Sequence, residues 1–274
     1  MNEPLNIGIR KTLAEVALAI LPKSWGDELR LRRRFRREFL QFQSQADRKS
    51  RLSVLKEDIR RLLGDYVGLS DFDPHYFFHQ AWAARVLAET KPASHVDLSS
   101  HLDFSAILSA FIPVKFYDYH AIALRLDNLE TGRADLVRLP FAADSIPSLS
   151  CMHVIEHIGL GRYGDPLDVD GDLKAMAELR RVLAPGGALL IVVPVGRPRV
   201  VFNAHRIYSY AQILDALKGL TLKEFALIAD DWRCGNLIRH AAPDLADRQE
   251  YGCGCFLFTK ETLYCDSAIE QNCR

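Results

Sequence analysis

No charge of one sign dominates this chain: lysine plus arginine number 35, and so do aspartate plus glutamate. A balanced chain sets up no global field toward a polyanion, so nucleic acid is not an expected partner, and any anionic partner must meet a local patch. Long apolar runs are also missing. The stretch Leu13–Leu21 is apolar but far short of the ~20 residues a bilayer span requires. A helix packing on its own protein is expected there, with a membrane-surface helix as the alternative. The six cysteines show no paired metal spacing. Cys253 and Cys255, one glycine apart, are too close for a CxxC zinc or redox motif. No signal-peptide pattern is visible, so reduced thiols and a cytoplasmic setting, at most peripheral to a membrane, are expected. Internal repeats and low-complexity segments are absent too.

What remains is a soluble-protein composition, 49% hydrophobic and 26% charged over 274 residues, enough for one α/β domain and an extension. Residues up to about Gly64 read as helix, with Leu31, Phe35, Phe39 and Phe42, and later Leu52, Leu55, Ile59 and Leu62, at helical spacing. Arg30, Arg32, Arg33, Arg34, Arg36 and Arg37 fall between the apolar positions as a solvated face; the alternative is peripheral contact with a membrane surface. A turn-rich stretch, Gly64–Pro74, leads to a helix over Tyr76–Thr90. The expected organisation is therefore a helical basic extension over 1–72 and a second domain over 73–274.

From Ser94 the pattern alternates strand and helix, the signature of a parallel sheet with crossovers. Strands are predicted at His95–Leu98, Val114–Tyr119, a weaker one closing at Asp135, and Leu149–Val154. Asp172 stands at a predicted N-cap before a helix carrying Leu173, Met176, Leu179 and Leu183, which stops at Pro185-Gly186-Gly187. The apolar run Ala188–Pro194 reads as a strand buried on both faces. A helix near Tyr208–Leu217 and strands at Leu222–Ile228 and Cys255–Thr259 complete the domain.

In an open parallel sheet ligands bind at the carboxyl ends of strands, beside the switch in strand order. Asp97 and the loop residues Ser99 and Ser100 occupy that place after the first strand. Asp118, about twenty residues on, is placed to accept from ribose hydroxyls, and Asp135 to receive an adenine amine. Each aspartate alone is an ordinary turn former; three at successive strand ends point to a nucleoside site.

The chain resembles the class I S-adenosylmethionine-dependent methyltransferases over roughly Ser94–Lys260. The resemblance is carried by Val96-Asp97, Asp118, Asp135, Leu139-Pro140-Phe141 and Leu183-Ala184-Pro185-Gly186-Gly187. More narrowly, Cys151-Met152-His153-Val154-Ile155-Glu156-His157 through Asp165, Phe202-Asn203-Ala204-His205-Arg206 and Tyr251-Gly252-Cys253-Gly254 are similar to a methyltransferase-like group, domain of unknown function 268. His75-Tyr76-Phe77 and Ala83-Ala84-Arg85 extend this to about residue 73. The resemblance implies a Rossmann-like, mostly parallel sheet with one antiparallel strand. It also implies S-adenosylmethionine as cofactor, held by Asp97, Ser99, Ser100, Asp118, Asp135 and His153. One departure stands out. The usual cofactor loop is glycine-rich, whereas Leu98–Asp103 contains serines and His101 and no glycine. Either the serine hydroxyls serve the cofactor or the pocket has lost it.

Methyl transfer needs positioning and, for a hydroxyl acceptor, a base. His157 is the first candidate base, Glu156 would orient it or hold an acceptor hydroxyl, and His205 is the third catalytic candidate. Arg162, Tyr163 and Asp165, in a loop long enough to act as a lid, and Asn203 and Arg206 after the fifth strand, are candidates for a polar acceptor. Asp168, Asp170 and Asp172 alternate as oxygen ligands can, but lack the rest of a calcium loop, so they are weak metal candidates and no metal is expected. The expected function is methylation of a small polar acceptor, a glycan hydroxyl by family analogy. The alternatives are a repurposed sheet serving as a binding or scaffold module and a membrane-peripheral protein working through its basic arm.

Overall fold

A computed structural model describes residues 23–49, 59, 73–231 and 237–262 of the chain. The apolar segment Leu13–Leu21, the stripe Leu52, Leu55 and Leu62 and the turn-rich stretch after Gly64 lie outside the described residues. The chain divides into two compact units, Met1–Phe72 and Asp73–Arg274.

In the first unit, α1 (Lys23–Lys49) is one helix of 27 residues. Leu31, Phe35 and Phe39 are half-buried along it, whereas Phe42 is 63% exposed. The arginine cluster is partly self-neutralised. Arg30 pairs with Asp27, Arg32 with Glu28 and Arg34 with Glu38, at the three- and four-residue spacings that face each other on a helix. Among the described residues no helix is long and apolar enough to cross a membrane.

In the second unit, α2 (Pro74–Thr90) starts at Asp73, whose carboxylate accepts from the amides of His75 and Tyr76, with Pro74 in the first turn. There follow β1 (His95–Leu98), α3 (Leu102–Leu108), β2 (Val114–Asp118), β3 (Leu129–Arg133), β4 (Ile146–Met152), a 3-10 turn (Ile155–His157), α4 (Gly171–Val182), β5 (Leu183–Val195) and a hairpin of β6 (Arg199–Val201) and β7 (His205–Ile207). Last come α5 (Tyr210–Ala216), β8 (Leu220–Ile228), β9 (Leu237–Ile238), α6 (Pro243–Asp247) and β10 (Gly252–Lys260). The main sheet runs β3-β2-β1-β4-β5-β10-β8-β9. β1 pairs in parallel with both β2 and β4, so the order reverses between β1 and β4 and opens a crevice there. β10 enters antiparallel between β5 and β8, and the two-residue edge strand β9 is antiparallel to β8.

The strands are apolar on both sides because helices cover both faces. Along β5, Leu189, Ile191 and Val193 join the core with Met176 and Leu179 of α4, while Leu190 and Val192 join the opposite core with Trp82 and Val86 of α2. β10 divides in the same way, with Phe256 and Phe258 on one face and Cys253 and Cys255 on the other.

Several boundaries differ from expectation for local reasons. β3 ends at Arg133, and Asp135 stands beyond it in a turn, accepting from the amide of Val137. Asp172 does not cap α4. Asp170 holds the N-cap position without a side-chain bond, and Asp172 is buried in the first turn by the Tyr208 hydroxyl (2.9 Å) and Arg206 (3.5 Å). The helix stops at Val182, because Leu183 already pairs with Ile146. The glycine pair forms a bulge between that pair and Ser148–Ala188, with Gly186 at φ +74°. The β6–β7 hairpin was not expected; three-residue strands are too short to show a period.

α2 is fastened to the sheet by one buried carboxylate. Glu224 on β8 accepts from Trp82 Nε1 (3.1 Å) and from Arg239 Nε (2.7 Å) and Nη2 (2.6 Å), and Arg239 also reaches Glu89 on α2. The Arg239 hydrogen bonds outweigh burial and hold the Glu224 carboxyl below its ordinary value of 4.5. Its contribution is therefore complete above that value and is lost as pH falls through the depressed one. Glu224→Gln is expected to cost about 2 kcal/mol at pH 7, less than the loss for a fully buried pair because Arg239 keeps Glu89 and is partly solvated. Urea unfolding across pH should also show a flatter acid limb in the variant.

Candidate active site

The crevice between β1 and β4 holds a cavity of about 290 Å³, lined by Ser99, Asp118, Tyr119, His120, Asp135, Leu136, Val137, His153, Val154, His157, Tyr163 and Asp165. Its walls are the carboxyl ends of β1, β2 and β4, where the reversal predicts a ligand.

Of the expected cofactor residues, Ser99, Asp118, Asp135 and His153 line the cavity; Asp97 and Ser100 do not. Asp97 is completely buried and accepts from Ser105 and from Ser150 Oγ (2.9 Å). Burial raises its pKa against the lowering pull of serine hydrogen bonds, Ser100 among them. Ser100 Oγ accepts from the Met152 amide (3.0 Å). Both residues therefore fix the loop from beneath rather than face a ligand. The loop solves its lack of glycine directly. Ser99 takes φ +57°, the left-handed conformation glycine would supply, with its amide donating to Tyr117 O (2.8 Å).

Asp118 accepts from the His120 amide through Oδ1 (2.7 Å) and Asp135 from Val137 through Oδ1 (3.0 Å), so each keeps its second oxygen for a ligand. These two turns fix both carboxylates at the rim.

His153 and His157 form the opposite wall, with Glu156 buried behind them. Glu156 is 1% exposed; its Oε1 lies 2.9 Å from His153 Nδ1 and 3.7 Å from His157 Nε2. Burial would raise its pKa, but the hydrogen bond from His153 and the nearby imidazoles outweigh that and keep it low. Glu156 thus orients His153 directly and only faces the His157 ring, without a hydrogen bond to it. His157 Nδ1 donates to Ala204 O (2.6 Å), which leaves Nε2 as its basic atom beside that carboxylate. Burial, opposed by Glu156 and the Ala204 carbonyl, holds His157 below its ordinary value, so the ring is neutral and able to accept a proton at pH 7.

The remaining acceptor candidates are mostly structural. Arg206 is buried and donates to Ile158 O (2.6 Å), Asp168 O (3.3 Å) and Val169 O (3.3 Å), and pairs with Asp172, so its guanidinium latches the 159–172 loop instead of awaiting an anion. Asp165 accepts from Gly159 (2.7 Å) and Tyr163 (3.1 Å) amides, closing the same loop on itself. At Gly159, φ +83°, a Cβ would meet Asp168 O at 2.0 Å, so only glycine fits. Arg162, Asn203 and His205 stand outside the cavity lining. Arg162 donates to Ala204 O (3.0 Å), Asn203 sits in the β6–β7 turn, and the His205 ring packs 4.8 Å from Tyr251. The three alternating aspartates do not converge: Asp168 pairs with Lys174, Asp170 is exposed, and Asp172 is taken by Tyr208 and Arg206.

Sequence reasoning missed a second cluster of rings beside the cavity. His75 stacks on His153 (5.7 Å between centroids) and on Tyr251 (5.0 Å), Tyr76 stacks on His153 (5.4 Å), and the His79 ring lies edge-on at 5.1 Å. Burial and the neighbouring His153 push His75 down to about 4. Its strings, His75-Tyr76-Phe77 and Tyr251-Gly252-Cys253-Gly254, had signalled kinship without a role.

The strand order, with β10 inserted antiparallel beside β5, is that of the class I methyltransferase sheet, and this chain has that Rossmann-like fold with a helix in its N-terminal unit. Comparison with known proteins gives distant likenesses. Residues 141–226 match the model of a family described as a Caenorhabditis protein of unknown function, DUF268. Among solved structures, N-methyltransferase NodS from Bradyrhizobium japonicum in complex with S-adenosylhomocysteine is similar at 13% identity and TM-score 0.48, covering 70% of this chain and 90% of that one. The 1,6-didemethyltoxoflavin-N1-methyltransferase of Burkholderia thailandensis matches at 13% and TM-score 0.47, over 67% and 79%. A TehB-like S-adenosylmethionine-dependent methyltransferase from Corynebacterium glutamicum matches at 17% and TM-score 0.42, over 72% and 92%. No curated protein matches.

Because Arg206 holds the loop through several carbonyls and neutralises Asp172, Arg206→Ala is expected to destabilise the fold by about 3 kcal/mol. Limited proteolysis should then cut between Gly159 and Asp172 faster than in the parent; an unchanged rate would show the latch to be dispensable.

Proposed function

We propose that the chain is an S-adenosylmethionine-dependent methyltransferase acting on the hydroxyl of a small polar acceptor, a glycan sugar being the class in view. The carrying observation is the single cavity that gathers Asp118 and Asp135 from successive strand ends with His157 on its far wall. Its residues fit the donor: two rim carboxylates with a spare oxygen each for ribose and adenine donors, apolar Leu136 and Val137 for the base, and a backbone turn at Ser99 for the amino-acid end. The donor supplies an electrophilic methyl on a sulfonium sulfur. On transfer of that methyl to an acceptor oxygen the carbon–sulfur electrons would stay on sulfur, giving the neutral thioether, and His157 Nε2 would take the acceptor's proton. Glu156, 3.7 Å away, stabilises the imidazolium so formed.

Calorimetric titration of the full chain with S-adenosylmethionine and S-adenosylhomocysteine tests the reading. Micromolar binding is expected, weakened roughly ten- to hundred-fold in Asp118→Ala. His157→Ala should bind as the parent does and lose about 100-fold or more in turnover with an accepted substrate. Absence of binding to either ligand by folded protein would overturn it and favour a module that kept the sheet without the donor.

A further inference from the structure

The reading above gives no ligand role to the group where α2, β4 and β10 meet. There one ligand atom each from His75, His153 and Cys253, all three residues buried, lies within 4.8 Å of the others. We propose that these residues bind one zinc-type divalent cation, leaving a fourth coordination position open.

The geometry around His153 carries the argument. Glu156 Oε1 lies 2.9 Å from Nδ1, so Nδ1 holds the proton and Nε2 presents its lone pair. His153 Nε2 lies 3.3 Å from Cys253 Sγ, close enough to share the thiol proton. A metal ion takes the place of such a proton. With Zn–S near 2.3 Å and Zn–N near 2.0 Å, a tetrahedral ion holds its sulfur and nitrogen roughly 3.5 Å apart, so these two ligands are almost in place. His75 must close by about an ångström to join them. Glu156 behind His153 completes the carboxylate–imidazole–metal relay that fixes a ligating ring and raises its basicity.

Charge and unmet bonding point the same way. Glu156 Oε2 and His79 Nε2 are buried without a hydrogen-bond partner among the described residues, both beside this cluster. A thiolate at Cys253 and a carboxylate at Glu156 together balance a dication that neutral imidazoles cannot replace. The nitrogen and sulfur donors select zinc over magnesium or calcium, which prefer oxygen. Three protein ligands with a free position mark a reactive site, not a closed structural one. Because His153 also lines the nucleoside cavity, that position would receive an acceptor heteroatom; this last consequence rests on the methyl-transfer reading, whereas ion binding does not.

The test is titration of chelator-treated full-length protein with Zn²⁺ by calorimetry and with Co²⁺ by absorption, without S-adenosylmethionine. One ion per chain and a thiolate-to-Co²⁺ charge-transfer band are expected. Cys253→Ala should abolish the band, His75→Gln and His153→Gln should weaken binding at least 100-fold, and Glu156→Gln roughly 10- to 100-fold. Circular dichroism on each variant separates lost binding from lost fold, and the band in the parent protein needs no variant. No stoichiometric ion, a spectrum without the thiolate band, or undiminished binding by folded Cys253→Ala would each overturn the proposal.

Discussion

The site depends on a carboxylate kept charged where water cannot reach it. Glu156 sits in the turn after β4 with one oxygen against His153, and the same oxygen faces His157. Burying an isolated charge would cost many kcal/mol, so His153 answers it with an N–H donor, whereas the Ala204 carbonyl sets the tautomer of His157. His153 has to carry its proton on Nδ1. The 3-10 turn that holds Glu156 also sets His157 against Ala204, which draws the β6–β7 hairpin over the site. The same carbonyl accepts from Arg162, so one backbone oxygen ties the loop, the hairpin and the candidate base together.

Much of the fold was legible because the central strands β1, β4 and β5 carry buried runs bounded by a charge or turn. His95–Leu98 was readable to the residue and Ala188–Pro194 as the interior of the longer β5, since strands buried on both faces need neither alternation nor a partner to be seen. The misplaced features involve side chains recruited from a distance. Asp172 looks like a cap from its neighbours alone; Tyr208, 36 residues on, is what takes it inside. The hairpin was invisible because its strands are too short for a period to appear.

The site was legible on the side built from strand ends in sequence order, where Asp118 and Asp135 follow from topology. It was not legible where elements meet across the chain. His75, His153 and Cys253 come from α2, the residue after β4, and β10, and nothing local in any of the three strings announces the other two. Arg206 misled for a related reason. A guanidinium beside an expected substrate loop suggests an anion, yet backbone carbonyls satisfy it equally well, and only the loop's closure reveals which is chosen.

β10 is the last described strand, yet it pairs along its length with both β5 and β8 and so lies inside the sheet, not at its edge. During synthesis β5 and β8 emerge before the strand that separates them. Until it arrives, two apolar strand edges remain unpaired and the wall carrying Cys253 and Tyr251 does not exist. The crevice between β1 and β4, built from earlier residues, can form first; its neighbour across β5 is a late acquisition of the folding chain.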